Sequence, residues 1–169
     1  SAAINVPNRA WVDYEAVSWE HLIDVDIKGA LHCIAAVLPQ MRRQRDGLII
    51  NISSWAGRYD SVIGGVAYTA SKRAMMAFTT NINMEEGRNG IRACAICPAE
   101  VVTPLIDKRA EPVPDSVKAR MLKTENLAET ILFVARMPAS VCVNEILLSP
   151  TWNRAYVGDA EPDAPAGTS

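Results

Sequence analysis

Tyr68-Thr69-Ala70-Ser71-Lys72 places a phenol and an ammonium four residues apart. On a helix, positions i and i+4 lie one above the other on one face, so the Lys72 ammonium can sit beside the Tyr68 ring. A free tyrosine ionises at about pH 10, and a nearby positive charge favours its phenolate, which brings such a pair toward general acid/base work near neutrality. Upstream, an apolar run ends in Asn51-Ile52-Ser53-Ser54, where Ser54 would supply a second hydroxyl. A surface helix can carry tyrosine and lysine at this spacing with no chemical role. The elements around the pair therefore decide its meaning.

Those elements alternate helix, strand, helix, strand, helix, strand, the order expected of a parallel α/β sheet. The first helix is predicted over residues 18–45, with Asp26, Ala30, Cys33 and Val37 recurring at helical spacing as the face toward the sheet. Residues 48–54 are near-continuously apolar and end in small hydroxyls, as a buried parallel strand does before opening into a site. Gly64-Gly65 punctuate the entry to the Tyr68 helix, which continues through Met75, Phe78 and Ile82 to turn signals at Gly87 and Gly90. Residues 91–97 read as the next strand, stopped by Pro98. Leu127, Ile131 and Val134 mark an amphipathic helix that Thr124 or Asn126 could cap, and residues 141–148 form the last strand. The tail, residues 157–169, is small, acidic and proline-containing, which predicts disorder.

In this context Ser54, Tyr68 and Lys72 resemble the Ser, Tyr-x-x-x-Lys constellation of the short-chain dehydrogenase/reductase family. The resemblance runs in order through Trp19, Ile23-Asp24-Val25-Asp26-Ile27-Lys28-Gly29, the 47–54 strand, the Tyr68 helix and Pro98-Ala99-Glu100-Val101-Val102-Thr103-Pro104. It implies a Rossmann-like doubly wound parallel sheet, here its second half with about three strands and three main helices. Residues 1–156 would be the C-terminal part of one such domain. The activity implied is that of an oxidoreductase using NAD or NADP to interconvert a secondary alcohol and a ketone. Tyr68 would be the general acid in reduction and the base in oxidation. Lys72 would lower its pKa and hydrogen-bond the nicotinamide ribose, Ser54 would donate to the substrate oxygen, and Pro98, Val101 and Thr103 would hold the nicotinamide end.

Two positions depart from the family. Asp26 stands where an asparagine usually completes a proton relay through water. An ionised carboxylate only accepts, whereas burial favours a protonated form that could donate, and the alternative is that Asp26 merely bonds nearby backbone. Ala99 replaces a customary glycine and should tighten the nicotinamide side of the pocket. Trp55, Tyr59 and the polar stretch 104–120, with Pro112 and Pro114, would line the pocket for a modest alcohol or ketone. The stretch is either the family's mobile lid or a surface loop, and Trp55 and Trp152 could equally be packing residues. Relatives usually form homodimers or homotetramers through the long helix and the Tyr68 helix. The small residues Ala70, Ala74 and Ala77 suit that use, or packing against the sheet.

A dinucleotide fold carries its glycine-rich phosphate cradle in the first strand-to-helix turn. The glycines at 29, 47, 57, 64, 65, 87, 90, 158 and 167 nowhere form G-x-G-x-x-G. The choice between NAD and NADP is therefore unreadable. The opening Ser1-Ala2-Ala3-Ile4 resembles the tail of the family's Asn-Asn-Ala-Gly segment. The expectation is the second half of a longer dehydrogenase, whose sheet edge wants a partner strand. The competing readings are a catalytically silent scaffold and a fragment without cofactor binding.

Hydrophobic residues make up 49% of the 169, charged residues 21%, and the formal net charge is −2, the profile of an ordinary soluble enzyme domain rather than a nucleic-acid binder. The basic cluster Arg42-Arg43-Gln44-Arg45 falls where a helix should end before Gly47, where cations complement the helix dipole, and reads as a solvated helix end. No apolar stretch approaches the roughly 18 residues of a membrane span and the start lacks a signal peptide's regions, which leaves a cytoplasmic location as the default. Cys33, Cys94, Cys97 and Cys142 are scattered through apolar segments as core filler rather than as a disulfide framework. Cys94 and Cys97, three apart on a strand, should point to opposite faces. His21 and His32 complete no ligand cluster, so no metal is expected.

Overall fold

The computed structural model describes residues 3–106 and 112–158. The middle of the 104–120 stretch and nearly all of the tail, 159–169, lie outside the described residues. The main elements are α1 (Ala16–Ile23), α2 (Gly29–Gln44), β1 (Gly47–Ile52), α3 (Val66–Glu86), β2 (Ile91–Pro98), α4 (Asp115–Arg120), α5 (Thr124–Ala135), β3 (Glu145–Leu148) and α6 (Arg154–Val157). The strands form a parallel sheet in the order β1-β2-β3, as the continuous apolar runs require. Gly47 pairs with Ile91 and Ile52 with Ile96, while Ala95 to Pro98 pair with residues 145–148 of β3. No helix among the described residues is long and apolar enough to cross a membrane.

Alternation along the strands assigns two faces. Ile91 and Ala93 meet Ile82 of α3, with Ile34, Leu38, Met41 and Ile49 packed around them. Cys94 and Ile96 point the other way, onto Val134 and Ile131 of α5, with Leu48, Ile50 and Ile52 beside them. A third cluster joins Val6, Trp19, Leu22 and Ala67, which docks the N-terminal segment and α1 against the start of α3. Gly65, the residue before α3, has φ +80, and a Cβ there would come within 2.9 Å of the Arg9 carbonyl oxygen. Only glycine fits both the left-handed backbone and the close approach.

The long first helix is continuous but not uniform. Between α1 and α2 the residues Asp24–Lys28 form a π turn, in which the Gly29 N–H bonds the carbonyl of Asp24. The extra residue rotates everything after it by about 100°. Asp26 is driven inward, and beyond it the face toward the sheet is Ile34, Leu38 and Met41. The expected stripe is corrected accordingly, because Cys33 and Val37, each one position too early, are exposed.

One smaller reading changes and two gain detail. β3 begins at Glu145, because the Val141 N–H turns back onto the Pro138 carbonyl at 2.8 Å. α5 begins at Thr124, and Asn126 caps it from within by accepting the Lys123 N–H at 2.8 Å. The basic cluster is an exposed helix end, as expected, and two of its arginines also clamp the end of α3. Arg42 grips Glu86 at the end of α3 through Nε to Oε2 at 2.9 Å and a second contact from its other nitrogen, while Arg45 reaches Asn89 and the Arg88 carbonyl.

The Arg42 guanidinium, helped by the Asn89 amide, holds the Glu86 carboxyl at about 2 against an ordinary 4.5. A depressed acid stabilises fully above its unfolded value and loses that contribution as pH falls through the folded one. Glu86→Gln should therefore melt below wild type at neutral pH, and the two melting temperatures should converge as pH drops from 4.5 to about 2. A gap that stays constant over that interval would refute the clamp's role.

Candidate active site

β1 delivers its odd-numbered residues to α3. Asn51 Nδ2 donates to Thr79 Oγ1 at 2.9 Å, and Ser53 Oγ donates to the Lys72 carbonyl at 2.8 Å. The Ser53 N–H continues the pairing by bonding the Ile96 carbonyl at 2.8 Å. Ser54 leaves the sheet and caps the 3-10 turn Trp55–Gly57, its hydroxyl accepting the Ala56 N–H at 3.2 Å. Ser54 thus sits at the carboxyl end of the strands, where ligands of open α/β sheets bind.

Tyr68 occupies the first turn of α3, packed against the cluster of Val6, Trp19, Leu22 and Ala67. Lys72 lies one turn on, with its Nζ 5.3 Å from the Tyr68 ring centroid. The lysine is only 5% exposed. Burial pulls its pKa below the ordinary lysine value, and the Asp26 carboxylate opposes that shift. Asp26 Oδ2 stands 3.8 Å from Lys72 Nζ, both side chains being almost fully buried. Asp26 Oδ1 accepts the Ile4 N–H at 2.8 Å. Ser71 Oγ lies 3.2 Å from Asp26 Oδ2 and 2.8 Å from the Tyr68 carbonyl, sharing one proton between them. Removing one partner of such a buried pair typically costs about 3–5 kcal/mol, because the other charge is left uncompensated.

Pro98 ends β2, and the Ala99 N–H bonds the Leu148 carbonyl at 2.7 Å. Val101 bridges in parallel to Leu122, with Val102 N–H on the Leu122 carbonyl and Leu122 N–H on the Glu100 carbonyl. The Thr103 carbonyl accepts the Ile106 N–H at 2.9 Å. The structure therefore brings Tyr68, Lys72 and Asp26 together at the start of α3, sets Ser54 just past the carboxyl end of β1, and carries Pro98, Val101 and Thr103 on the neighbouring strand's exit. Leu122, two residues past the 104–120 stretch and its α4, is stapled to Glu100 and Val102.

Aromatic rings stand next to Ser54. Trp55 stacks on Tyr59 with centroids 5.0 Å apart, and Tyr156 of α6 meets Trp55 edge-on at 5.4 Å. Trp152 instead lies under the Arg120 guanidinium, in a cleft lined also by Glu100, Met121 and Arg154. Glu100 and Arg154 form a forked ion pair, at 2.8 and 2.7 Å, that ties the segment after β3 to the segment after Pro98. Ala70 and Ala77 are exposed, so these small residues do not pack against the sheet.

Cys94 faces α5, whereas Cys97 Sγ lies 3.3 Å from Met76 Sδ on α3, so the C-x-x-C pair is split across the sheet. Burial pushes the Cys94 thiol up to about 11 and raises that of Cys97 as well, which leaves both inert. No group of three or more metal-ligating side chains occurs among the described residues. Sequence reasoning missed Ser71, Ser53 and the Glu100–Arg154 pair. Ser71 had only its place inside the Tyr68-to-Lys72 segment to mark it, and the ion pair spans too much chain to leave a local signal.

A three-stranded parallel sheet with helices packed on both faces defines a partial Rossmann-like α/β fold. The family model described as short chain dehydrogenase matches residues 1–113. The chain belongs to this family. An uncharacterized oxidoreductase of Staphylococcus saprophyticus is 37% identical over 143 residues, covering 85% of this chain and 58% of the relative. Another from Staphylococcus epidermidis is 33% identical over 138 residues, 82% of this chain and 57% of the relative. This chain thus spans little more than half the length of these relatives. Among solved structures, serine dehydrogenase from Escherichia coli is 27% identical with a TM-score of 0.75, covering 89% of this chain and 61% of that one. The closed form of serine dehydrogenase complexed with NADP+ is 25% identical with a TM-score of 0.79, covering all of this chain and 68% of that one.

Gly57 packs where a side chain would intrude. A Cβ there would collide with Ser53 Oγ and come within 2.9 Å of the Lys72 carbonyl oxygen, whereas one at Gly87 would meet nothing within 4 Å. Gly57→Ala should destabilise by about 1–3 kcal/mol in denaturant melts. Gly87→Ala, in open space, should be near neutral or mildly stabilising. Equal effects of the two substitutions would contradict the packing described.

Proposed function

We propose that this chain carries the proton-transfer site of an NAD(P)-dependent oxidoreductase that interconverts a secondary alcohol and its ketone. The observation that carries the reading is the buried Lys72 ammonium over the Tyr68 ring, one helical turn apart, at the sheet end where Ser54 also emerges. An ammonium beside a phenol favours the phenolate, and the Tyr68 hydroxyl is then able both to give and to take a proton. In reduction the Tyr68 O–H donates to the carbonyl oxygen. In oxidation the phenolate accepts the proton of the alcohol. Ser54 donates to the same oxygen and stabilises the negative charge that develops on it.

The residues present suit a nicotinamide cofactor by their chemistry. An ammonium and a phenol on one helix face can hold the vicinal hydroxyls of a ribose, and Pro98, Val101 and Thr103 leave the adjacent strand toward the same sheet end. Such a cofactor, when bound, supplies or accepts the hydride. The likeness to a serine dehydrogenase complexed with NADP+ supports this reading without choosing between NAD and NADP. Trp55 and Tyr59 beside Ser54 suit a small alcohol or carbonyl substrate, hydroxy acids included. The exposed Ala70 and Ala77 on α3 suit helix-to-helix pairing of a homodimer or homotetramer, and the expected location is cytoplasmic.

The test is steady-state turnover of the full-length protein with each nicotinamide and a panel of small alcohols and carbonyls. Tyr68→Phe should lower kcat by about 10²–10⁴-fold. Ser54→Ala should cost about 10²–10³-fold. Undiminished turnover in Tyr68→Phe would overturn the assignment.

A further inference from the structure

Asp26 is the one acid of the site that the proton transfer above leaves unused. It is 4% exposed and held on the π turn, with both carboxylate oxygens engaged. Oδ1 takes the Ile4 N–H at 2.8 Å, and Oδ2 faces Ser71 Oγ at 3.2 Å and Lys72 Nζ at 3.8 Å. An amide in this place would offer the ammonium at most a carbonyl dipole. A carboxylate offers a full opposite charge where little water can compete. A lysine this buried and lacking a counter-ion sheds its proton to escape desolvation.

The groups facing Lys72 come from several elements. Tyr68 and Ser71 share its helix, and Asp26 comes from the π turn. Ser53 comes from the end of β1 but bonds the Lys72 carbonyl rather than its ammonium. Lys28, also on the π turn, faces outward to Asp24 at 2.6 Å. Asp26 is therefore the charged group that acts on Lys72 among the described residues.

We propose that Asp26 is a positioning residue acting through Lys72: its carboxylate, seated by the Ile4 amide and the Ser71 hydroxyl, keeps the buried lysine in its ammonium form and so sets the alkaline limit of the site's working pH range. The inference rests on the dehydrogenase reading and adds to it a fixed anion in direct contact with the lysine. Above that limit the neutral amine no longer favours the phenolate or grips a ribose hydroxyl as a cation. Below it the pair is ionised and the site is poised. Ser71 acts one step further out, by fixing the oxygen that faces the ammonium.

The experiment is a pH titration of the full-length protein labelled at the lysine 13Cε position, with the Lys72 signal assigned by its loss in Lys72→Arg. Asp26→Asn keeps the shape and an acceptor for the Ile4 N–H but removes the charge. It should lower the Lys72 midpoint by about one pH unit or more, a ten-fold change in the protonation equilibrium. The alkaline limb of the rate profile should move down with it. Asp26→Glu should restore most of the midpoint. If Asp26→Asn does not fold, Ser71→Ala, which keeps the carboxylate and removes its orienting hydroxyl, should still move the midpoint down by a smaller amount. An unchanged midpoint in a folded Asp26→Asn or, failing that, in Ser71→Ala overturns the proposal. Absence of turnover in wild type would sink the dehydrogenase reading alone, because the resonance reports on the Asp26–Lys72 contact without any activity.

Discussion

A buried cation is the constraint from which the rest of this structure follows. Lys72 has its ammonium almost wholly out of water, and an isolated charge in such a place is too costly to keep. The fold answers with a carboxylate brought from an element 46 positions earlier in the chain, and that delivery requires the helix carrying it to break its own period. The π turn at Asp24–Lys28 is the device: one extra residue turns Asp26 inward and gives the remaining helix a different face for the sheet. Chemistry at one residue and packing over the following four turns are settled by the same irregularity.

The sheet register does the corresponding work from the other side. Because parallel strands alternate faces, Ile49, Asn51 and Ser53 all descend onto α3, ending with a hydroxyl on the Lys72 carbonyl. Ser54, one residue on, must then face the other way and leave the sheet. It does so as the cap of a 3-10 turn whose Gly57 is squeezed between Ser53 and Lys72. A hydrogen bond from a strand and a carboxylate from a helix thus hold the same lysine at its two ends. The forked Arg42–Glu86 pair fixes α2 to the far end of α3, so the helix bearing Tyr68 and Lys72 is tied at both ends.

Much of this was legible in the residues. β1 and β2 announced themselves as apolar runs closed by small hydroxyls or proline, and α3 was bounded by Gly64-Gly65 and Gly87. The Tyr68 and Lys72 spacing predicted their contact, because i to i+4 proximity is local geometry. What the sequence hid was non-local. Nothing near Asp26 encodes a π turn, since the turn is stabilised by burying that carboxylate against Lys72 and Ile4, so a regular period pointed to Cys33 and Val37 where Ile34 and Leu38 do the packing. Arg42 is exposed as a helix end should be, but its partner, 44 residues away, left no local signal. Residues 141–144 have strand-like composition, yet Val141 closes the turn after α5 and the ladder pairing with β2 starts only at Glu145.

The central claim is that Tyr68 and Ser54 converge on one substrate oxygen while Lys72 stands behind Tyr68. A crystal structure of the full-length protein with a nicotinamide cofactor and an unreactive alcohol analogue tests it most directly. The account predicts the analogue's oxygen within hydrogen-bond reach, about 2.6–3.2 Å, of both hydroxyls, with Lys72 Nζ on the cofactor's ribose and Asp26 behind it. An analogue oxygen bound away from Tyr68, with the cofactor ribose out of reach of Lys72, would contradict it.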